Sequence, residues 1–312
     1  MALDQPTLAL LAVLADAQVL PTHQLTPAEA RANEAVLIDM IGPGPDVARV
    51  EEIELIPQGG HAFGVRTLVP EGELRAVIVY FHGGGWVLGS IDQFDTLGRE
   101  LANRTGCAVV LVDYRKAPEF PFPAAVEDCW QALRWVDDNL ARIAGVRVPL
   151  IVAGDSAGDN LAAVMTFRAR DAGAPHLAFQ VLIYPVTNND VDNRSYREPS
   201  NQLLLNRDTM LWYWHHYVPD PVQRFDPEAS PLQAPVRAGL PPAVVLLAEH
   251  DVLRNEGDAY ADGLRRAGVA VEQRTFACQM HGFFSMVNIL PASAEAMDYV
   301  AAAIAHAVAD QA

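Results

Sequence analysis

The chain has 312 residues, 51% hydrophobic and 20% charged, which suits one large α/β domain or two modest ones and argues against extended disorder. A formal net charge of −17 disfavours nucleic acid and anionic membranes as partners, because both present phosphate to a surface that repels it. Cys107, Cys129 and Cys278 are odd in number, widely spaced and without a zinc-ligand spacing, which fits free thiols in a reducing compartment.

Residues 1–45 read as helical with no strand. The apolar run at 8–15 follows a single acidic residue, Asp4, and no basic one, and it is too short to span a bilayer. It reads as a docking helix, so a soluble, cytoplasmic protein is expected. From about residue 50 strands and helices alternate. Strands are expected over 53–56 and 63–69, with Gly59-Gly60 turning between them, then over 75–81, 107–112, 150–153, 178–183, 243–248 and 269–276. Their continuous Val/Ile/Leu runs suit strands covered on both faces. Helical patterns fall at 122–141, 157–171, 255–267 and 293–309. The whole reads as a doubly wound, mostly parallel α/β sheet with helices on both faces. Residues 188–235 interrupt the alternation with a long insertion holding Trp212 to Tyr217. A catalytic domain over 46–187 and 236–312 is therefore expected, under a helical cap made of 1–45 and 188–235.

Chemistry concentrates at Gly154-Asp155-Ser156-Ala157-Gly158, between an apolar strand and a helix. A serine there, flanked by small residues, stands on a tight strand-to-helix turn above the carboxyl end of the sheet. A nucleophile needs oxyanion donors, a base and an acid that orients the base. His82-Gly83-Gly84-Gly85-Trp86 follows the strand at 75–81, and its glycines let backbone amides converge. Gly84, Gly85 and Ala157 are the expected donors, with Gly83 serving the turn and His82 holding the loop. His281, just after the last strand, is the expected base. Asp251, beyond the 243–248 strand, is the expected acid, with Glu249 its rival. His250 is set aside, since its side chain diverges from that of its neighbour. The order Ser, Asp, His is that of α/β-hydrolases. Trp86, Trp212 and Trp214 are candidate walls of a substrate pocket, or else cap core. His215 and His216 are adjacent on a helix, diverge by about 100°, and read as cap surface rather than metal ligands.

Together with Asp113-Tyr114-Arg115-Lys116-Ala117-Pro118-Glu119, the 251–257 segment and His281-Gly282-Phe283, these motifs resemble the hormone-sensitive-lipase-like (bacterial family IV) carboxylesterases from about residue 75 to 285. The resemblance implies an α/β-hydrolase fold with a helical cap, and hydrolysis of short- to medium-chain acyl esters through an acyl-enzyme. It implies no metal or organic cofactor, and the homodimer common among such enzymes. Two rivals are a non-catalytic small-molecule binder, like the plant gibberellin receptors, and an interfacial lipase; retention of Ser156, Asp251 and His281 argues against the first. Asp113, Arg115 and Glu119 are expected to form a buried polar network bracing the oxyanion loop. One residue departs from the family pattern GDSAGGN: Asp159 stands where its second glycine is expected. In the first turn of the helix a carboxylate is favoured by the dipole; near the nucleophile two consequences stay open, a weakened positive field around the oxyanion or a neighbouring loop shifted by a side chain where glycine permits close packing.

Overall fold

The computed structural model describes residues 2–17, 20–57, 60–235 and 237–309. Eight strands form one sheet: β1 (Arg49–Leu55), β2 (Phe63–Val69), β3 (Val77–Phe81), β4 (Ala108–Asp113), β5 (Leu150–Asp155), β6 (Leu177–Ile183), β7 (Ala243–His250) and β8 (Val271–Met280). Their spatial order is β1-β2-β4-β3-β5-β6-β7-β8. β2 runs antiparallel to both β1 and β4, and every later pairing is parallel. The strand order reverses around β3, and the carboxyl ends of β3 and β5 are where such a sheet is expected to receive a ligand.

Period-two alternation sorts the strand side chains onto two covered faces. Val77, Val79 and Phe81 of β3 point to one core and Ile78 and Tyr80 to the other. The first core is closed by α5 (Ala124–Ala144), α6 (Ala157–Ala172) and α9 (Arg254–Arg266), the second by α4 (Asp95–Thr105) and α10 (Pro291–Ala309). All eight expected strands are present. Helix α4 has no counterpart among the expected elements, since Leu97 and Leu101 are its only large apolar residues and the rest of its buried face is small or polar. Gly59 lies outside the described residues, while Gly60 takes φ +88°.

The N-terminal segment contributes α1 (Gln5–Asp16), α2 (Pro27–Ala32) and α3 (Glu34–Ile41). Asp4 caps α1 by accepting from the Thr7 N–H, and its Oδ2 accepts from Gln279 Nε2 at 2.7 Å. Leu10 enters the second core, so this helix docks beside the end of β8. The insertion supplies α7 (Arg194–Arg197) and α8 (Arg207–Tyr217). The two segments meet: Trp212 Nε1 donates to the Leu25 carbonyl at 3.1 Å, and His23 Nδ1 lies 3.3 Å from Thr209 Oγ1. No helix among the described residues is long and apolar enough to cross a membrane.

Candidate active site

β5 ends at Asp155 and α6 begins at Ala157, leaving Ser156 alone on the turn with φ 57° and ψ −116°. Such a conformation costs about 1–3 kcal/mol and persists only where its surroundings over-determine it. Here they do. Ser156 N–H donates to the Ile183 carbonyl at 2.9 Å, and the Ser156 carbonyl accepts from Val186 N–H at 3.2 Å. Asn160 Nδ2 ties the Val186 and Ala229 carbonyls at 3.1 and 2.8 Å. A side chain at Gly158 would fall into the Phe81 carbonyl, so only glycine lets α6 approach β3 this closely.

β7 and β8 deliver the partners. His281 Nε2 lies 3.0 Å from Ser156 Oγ, and its Nδ1 lies 2.7 Å from Asp251 Oδ2. Asp251 is 1% exposed; its Oδ1 accepts from Leu253 N–H at 2.8 Å and its carbonyl accepts from Asn201 Nδ2 at 3.1 Å. The carboxylate therefore fixes Nδ1 as the donor and leaves Nε2 as the acceptor facing the serine hydroxyl. Glu249 turns away and accepts from the Cys278 N–H at 2.8 Å, a bond that holds its carboxyl below the usual range.

Opposite lies the glycine loop. His82 is stacked between Tyr114 and Phe94, at centroid distances of 4.4 and 5.4 Å. Burial pushes its pKa down to about 4, so it is neutral near pH 7, and its Nδ1–H donates to the Gly83 carbonyl at 2.7 Å. Asp155 Oδ1 accepts from both Gly83 N–H and Tyr80 OH at 2.9 Å, while burial pushes that carboxyl up to about 6. Gly84 and Gly85 take φ +110° and +60°. The amides of Gly84, Gly85 and Ala157 have no hydrogen-bond partner among the described residues, and Ala157 directly follows Ser156. Tyr213 of α8 packs its ring on Gly85, where a Cβ would overlap it, so the insertion sits directly on the loop.

The three tryptophans divide. Trp86 and Trp214 are 0% and 1% exposed, and Trp86 stacks on Tyr217 at 4.2 Å and meets Trp214 at 5.0 Å. With no surface to offer a ligand, these two are core that pins α8 to the glycine loop. Trp212 is half-buried and is held by the Leu25 carbonyl. His215 is exposed and His216 packs edge-on against Trp212. Asp113, Arg115 and Glu119 do not share one buried network. Asp113 pairs with Lys116 at 2.7 Å, Arg115 grips Asp128 through two nitrogens, and the exposed Glu119 pairs with Arg31. The glycine loop is braced by Asp155 on the Gly83 amide, Tyr114 OH on the His82 carbonyl at 2.8 Å, the Ala117 N–H on the Trp86 carbonyl at 2.9 Å and Arg31 on the Val87 carbonyl.

A family model described as the α/β hydrolase fold matches residues 78–285. The chain belongs to that family. Its relatives include the carboxylesterase NlhH of Mycobacterium tuberculosis, 44% identical over 236 residues and covering 74% of each chain. The ethyl acetate hydrolase of Pseudomonas putida is 35% identical over 297 residues, 92% of each chain. Among solved structures, an ester hydrolase from the metagenome of Lake Arreo, determined with a bipyridine phosphonate derivative, superposes with a TM-score of 0.92 at 37% identity, covering 97% of this chain and 99% of that one. A hyperthermophilic esterase from Pyrobaculum calidifontis does so with a TM-score of 0.90 at 39% identity, covering 99% and 100%. The expected likeness to hormone-sensitive-lipase-like carboxylesterases stands within this α/β-hydrolase fold.

Sequence reasoning missed several residues around this site. Tyr80, Tyr184 and Arg31 belong to no motif, and each reaches the site by a contact between segments distant in sequence; Asn160 ends the GDSAGGN pattern, yet only the fold shows it tying the Val186 and Ala229 carbonyls. Asp155 sits inside the motif, yet only the sheet geometry shows its carboxyl reaching Gly83.

Proposed function

We propose that this α/β-hydrolase is a serine carboxylesterase acting on short- to medium-chain acyl esters, with Ser156 as nucleophile, His281 as general base and acid, and Asp251 orienting it. One observation carries this reading: an Asp251–His281–Ser156 relay closed at 2.7 and 3.0 Å beside three unpartnered amides. His281 Nε2 takes the hydroxyl proton as Ser156 Oγ attacks the ester carbonyl carbon. Asp251 stabilises the imidazolium without itself taking the proton. The amides of Gly84, Gly85 and Ala157 receive the oxyanion, each such donor being worth roughly 3 kcal/mol. His281 then protonates the leaving alkoxide oxygen, and the acyl-enzyme remains. Water, deprotonated by the same imidazole, repeats the attack and releases the acid. Preference for small acyl groups is supported by the ethyl acetate hydrolase relative and by α8 lying on the glycine loop. In this reading 1–45 and 188–235 act as a cap that closes the site against water. Three free cysteines suit a reducing cytoplasm, and an open sheet edge at β1 or β8 suits a homodimer.

The test is a kinetic profile across p-nitrophenyl esters from acetate to palmitate, run beside Ser156→Ala. The expected result is a maximum at short or medium chains and loss of at least about 10⁴-fold in kcat in the variant. Equal inertness of both proteins would exclude the enzyme. A rate that jumps above the substrate's micelle threshold would point to a lipase.

A further inference from the structure

We infer that Asp159, which replaces the glycine expected beside the nucleophile, is a positioning residue that clamps the end of β6 to the nucleophile turn. The inference rests on the esterase reading above. Asp159 is 0% exposed and lies in the first turn of α6. Its Oδ2 accepts the Ile183 N–H. Oδ1 is buried with no partner. A side chain from the first turn of α6, three residues on from Ser156, thus holds a backbone amide at the end of β6. Ile183 is bound from both sides by the turn, since its carbonyl receives the Ser156 N–H at 2.9 Å.

The clamp has a route to the base. The residue after Ile183 is Tyr184, fully buried, with φ +44°, an unusual backbone for a tyrosine. Its ring lies 4.5 Å from the His281 imidazole and 5.9 Å from Phe283. Holding the Ile183 peptide therefore holds the surface on which the imidazole rests. A glycine at 159 leaves that peptide without this acceptor.

The carboxyl is uncharged for a reason of place. The titratable groups facing it are Asp155 of β5, Tyr80 of β3 and Tyr184 after β6, and none is a cation. Asp155 already accepts from Tyr80 OH and Gly83 N–H, so of the two neighbouring acids it is the better-solvated anion and Asp159 keeps the proton. Burial and the Asp155 charge push Asp159 well above the carboxylate range. The proton belongs on the unpartnered Oδ1, leaving Oδ2 to accept. On this reading Asp159 carries no charge to damp the oxyanion field.

The test compares wild type with Asp159→Asn, which keeps the accepting oxygen without a charge, and with Asp159→Gly, which removes it. The expected result is a kcat within about twofold of wild type for Asp159→Asn, and a kcat at least about tenfold lower for Asp159→Gly with KM within about twofold. The low-field proton resonance of His281 Nδ1–H is expected to shift in Asp159→Gly and not in Asp159→Asn. Linkage supplies a readout independent of turnover. Above the ordinary 3.8 the folded wild type retains a proton that its unfolded chain has lost, so its stability falls as pH rises. Asp159→Asn lacks that slope, and its Tm advantage is expected to widen from pH 5 to pH 8. An Asp159→Gly enzyme with wild-type kcat and an unshifted His281 resonance overturns the clamp, as does an Asp159→Asn enzyme as slow as Asp159→Gly. A Tm difference constant with pH overturns the uncharged state. If wild type itself hydrolyses no ester, the esterase reading falls, while the resonance and the Tm comparison still judge the clamp.

Discussion

Asp251 and Glu249 are two residues apart near the end of one strand, and the site uses them differently. Asp251 reaches His281 Nδ1, whereas Glu249 is occupied by the Cys278 amide. Asp251→Asn is therefore expected to lower kcat by roughly 10⁴-fold, because an amide no longer enforces the required tautomer. Glu249→Gln is expected to stay within a few-fold of wild type, as it keeps an oxygen for Cys278. Steady-state kinetics on one short-chain ester decide it, and the reverse ranking would assign the acid to Glu249. Gly158 is the other residue with no latitude. A methyl group there enters the Phe81 carbonyl, so Gly158→Ala is expected to destabilise by more than about 3 kcal/mol or to prevent accumulation of folded protein, as read by urea unfolding.

Among the elements, α2 is short and exposed, yet one of its side chains holds two loops of the site. Arg31 Nε donates to the Val87 carbonyl at 2.9 Å, and its Nη2 donates to the Ala117 carbonyl at 2.7 Å. Both nitrogens of the fork also reach Glu119. Glu119 is 55% exposed, so the ion pair itself is worth at most about 1 kcal/mol after screening. The two carbonyl bonds are charge-assisted and partly buried, and matter more. Arg31→Ala is expected to cost about 2 kcal/mol and to raise KM several-fold by loosening the N-terminal segment over the glycine loop. Glu119→Gln is expected to cost under about 1 kcal/mol. Urea unfolding with KM measurement separates them, and equal losses would mean that the ion pair, not the carbonyl bonds, supplies the hold.

At the scale of the whole molecule, two buried groups, His82 on the glycine loop and Asp155 bonded to it, couple folding to pH in opposite senses. His82 is depressed from 6.5 to about 4, so over that range the unfolded chain binds a proton that the native one does not, and stability is lost as pH falls. Asp155 is raised from 3.8 to about 6, so over its range the native chain binds the extra proton, and stability is lost as pH rises. Over the shared window the two slopes oppose each other. Asp155→Asn removes one, and its urea midpoint is expected to fall more steeply than that of wild type between pH 6.5 and 4. Parallel midpoint curves would show that Asp155 carries no such shift.

The sequence by itself determined the eight strands, the two covered faces and the order of serine, acid and histidine. Each of those is written in local signals: runs of branched apolar residues, glycines beside a serine, and a polar residue just past a strand end. Helix α4 escaped because packing against the sheet, rather than an apolar stripe of its own, stabilises it. The partners of side chains escaped for a related reason, since whether a tryptophan lines a pocket or fills a core depends on what lies across from it. Only the tertiary structure decided that Trp86 and Trp214 are core, that Asp113, Arg115 and Glu119 go separate ways, and that Asp159 points into the sheet. That placement pushes its carboxyl well above the usual range, because burial beside a second acid removes the water that a carboxylate needs.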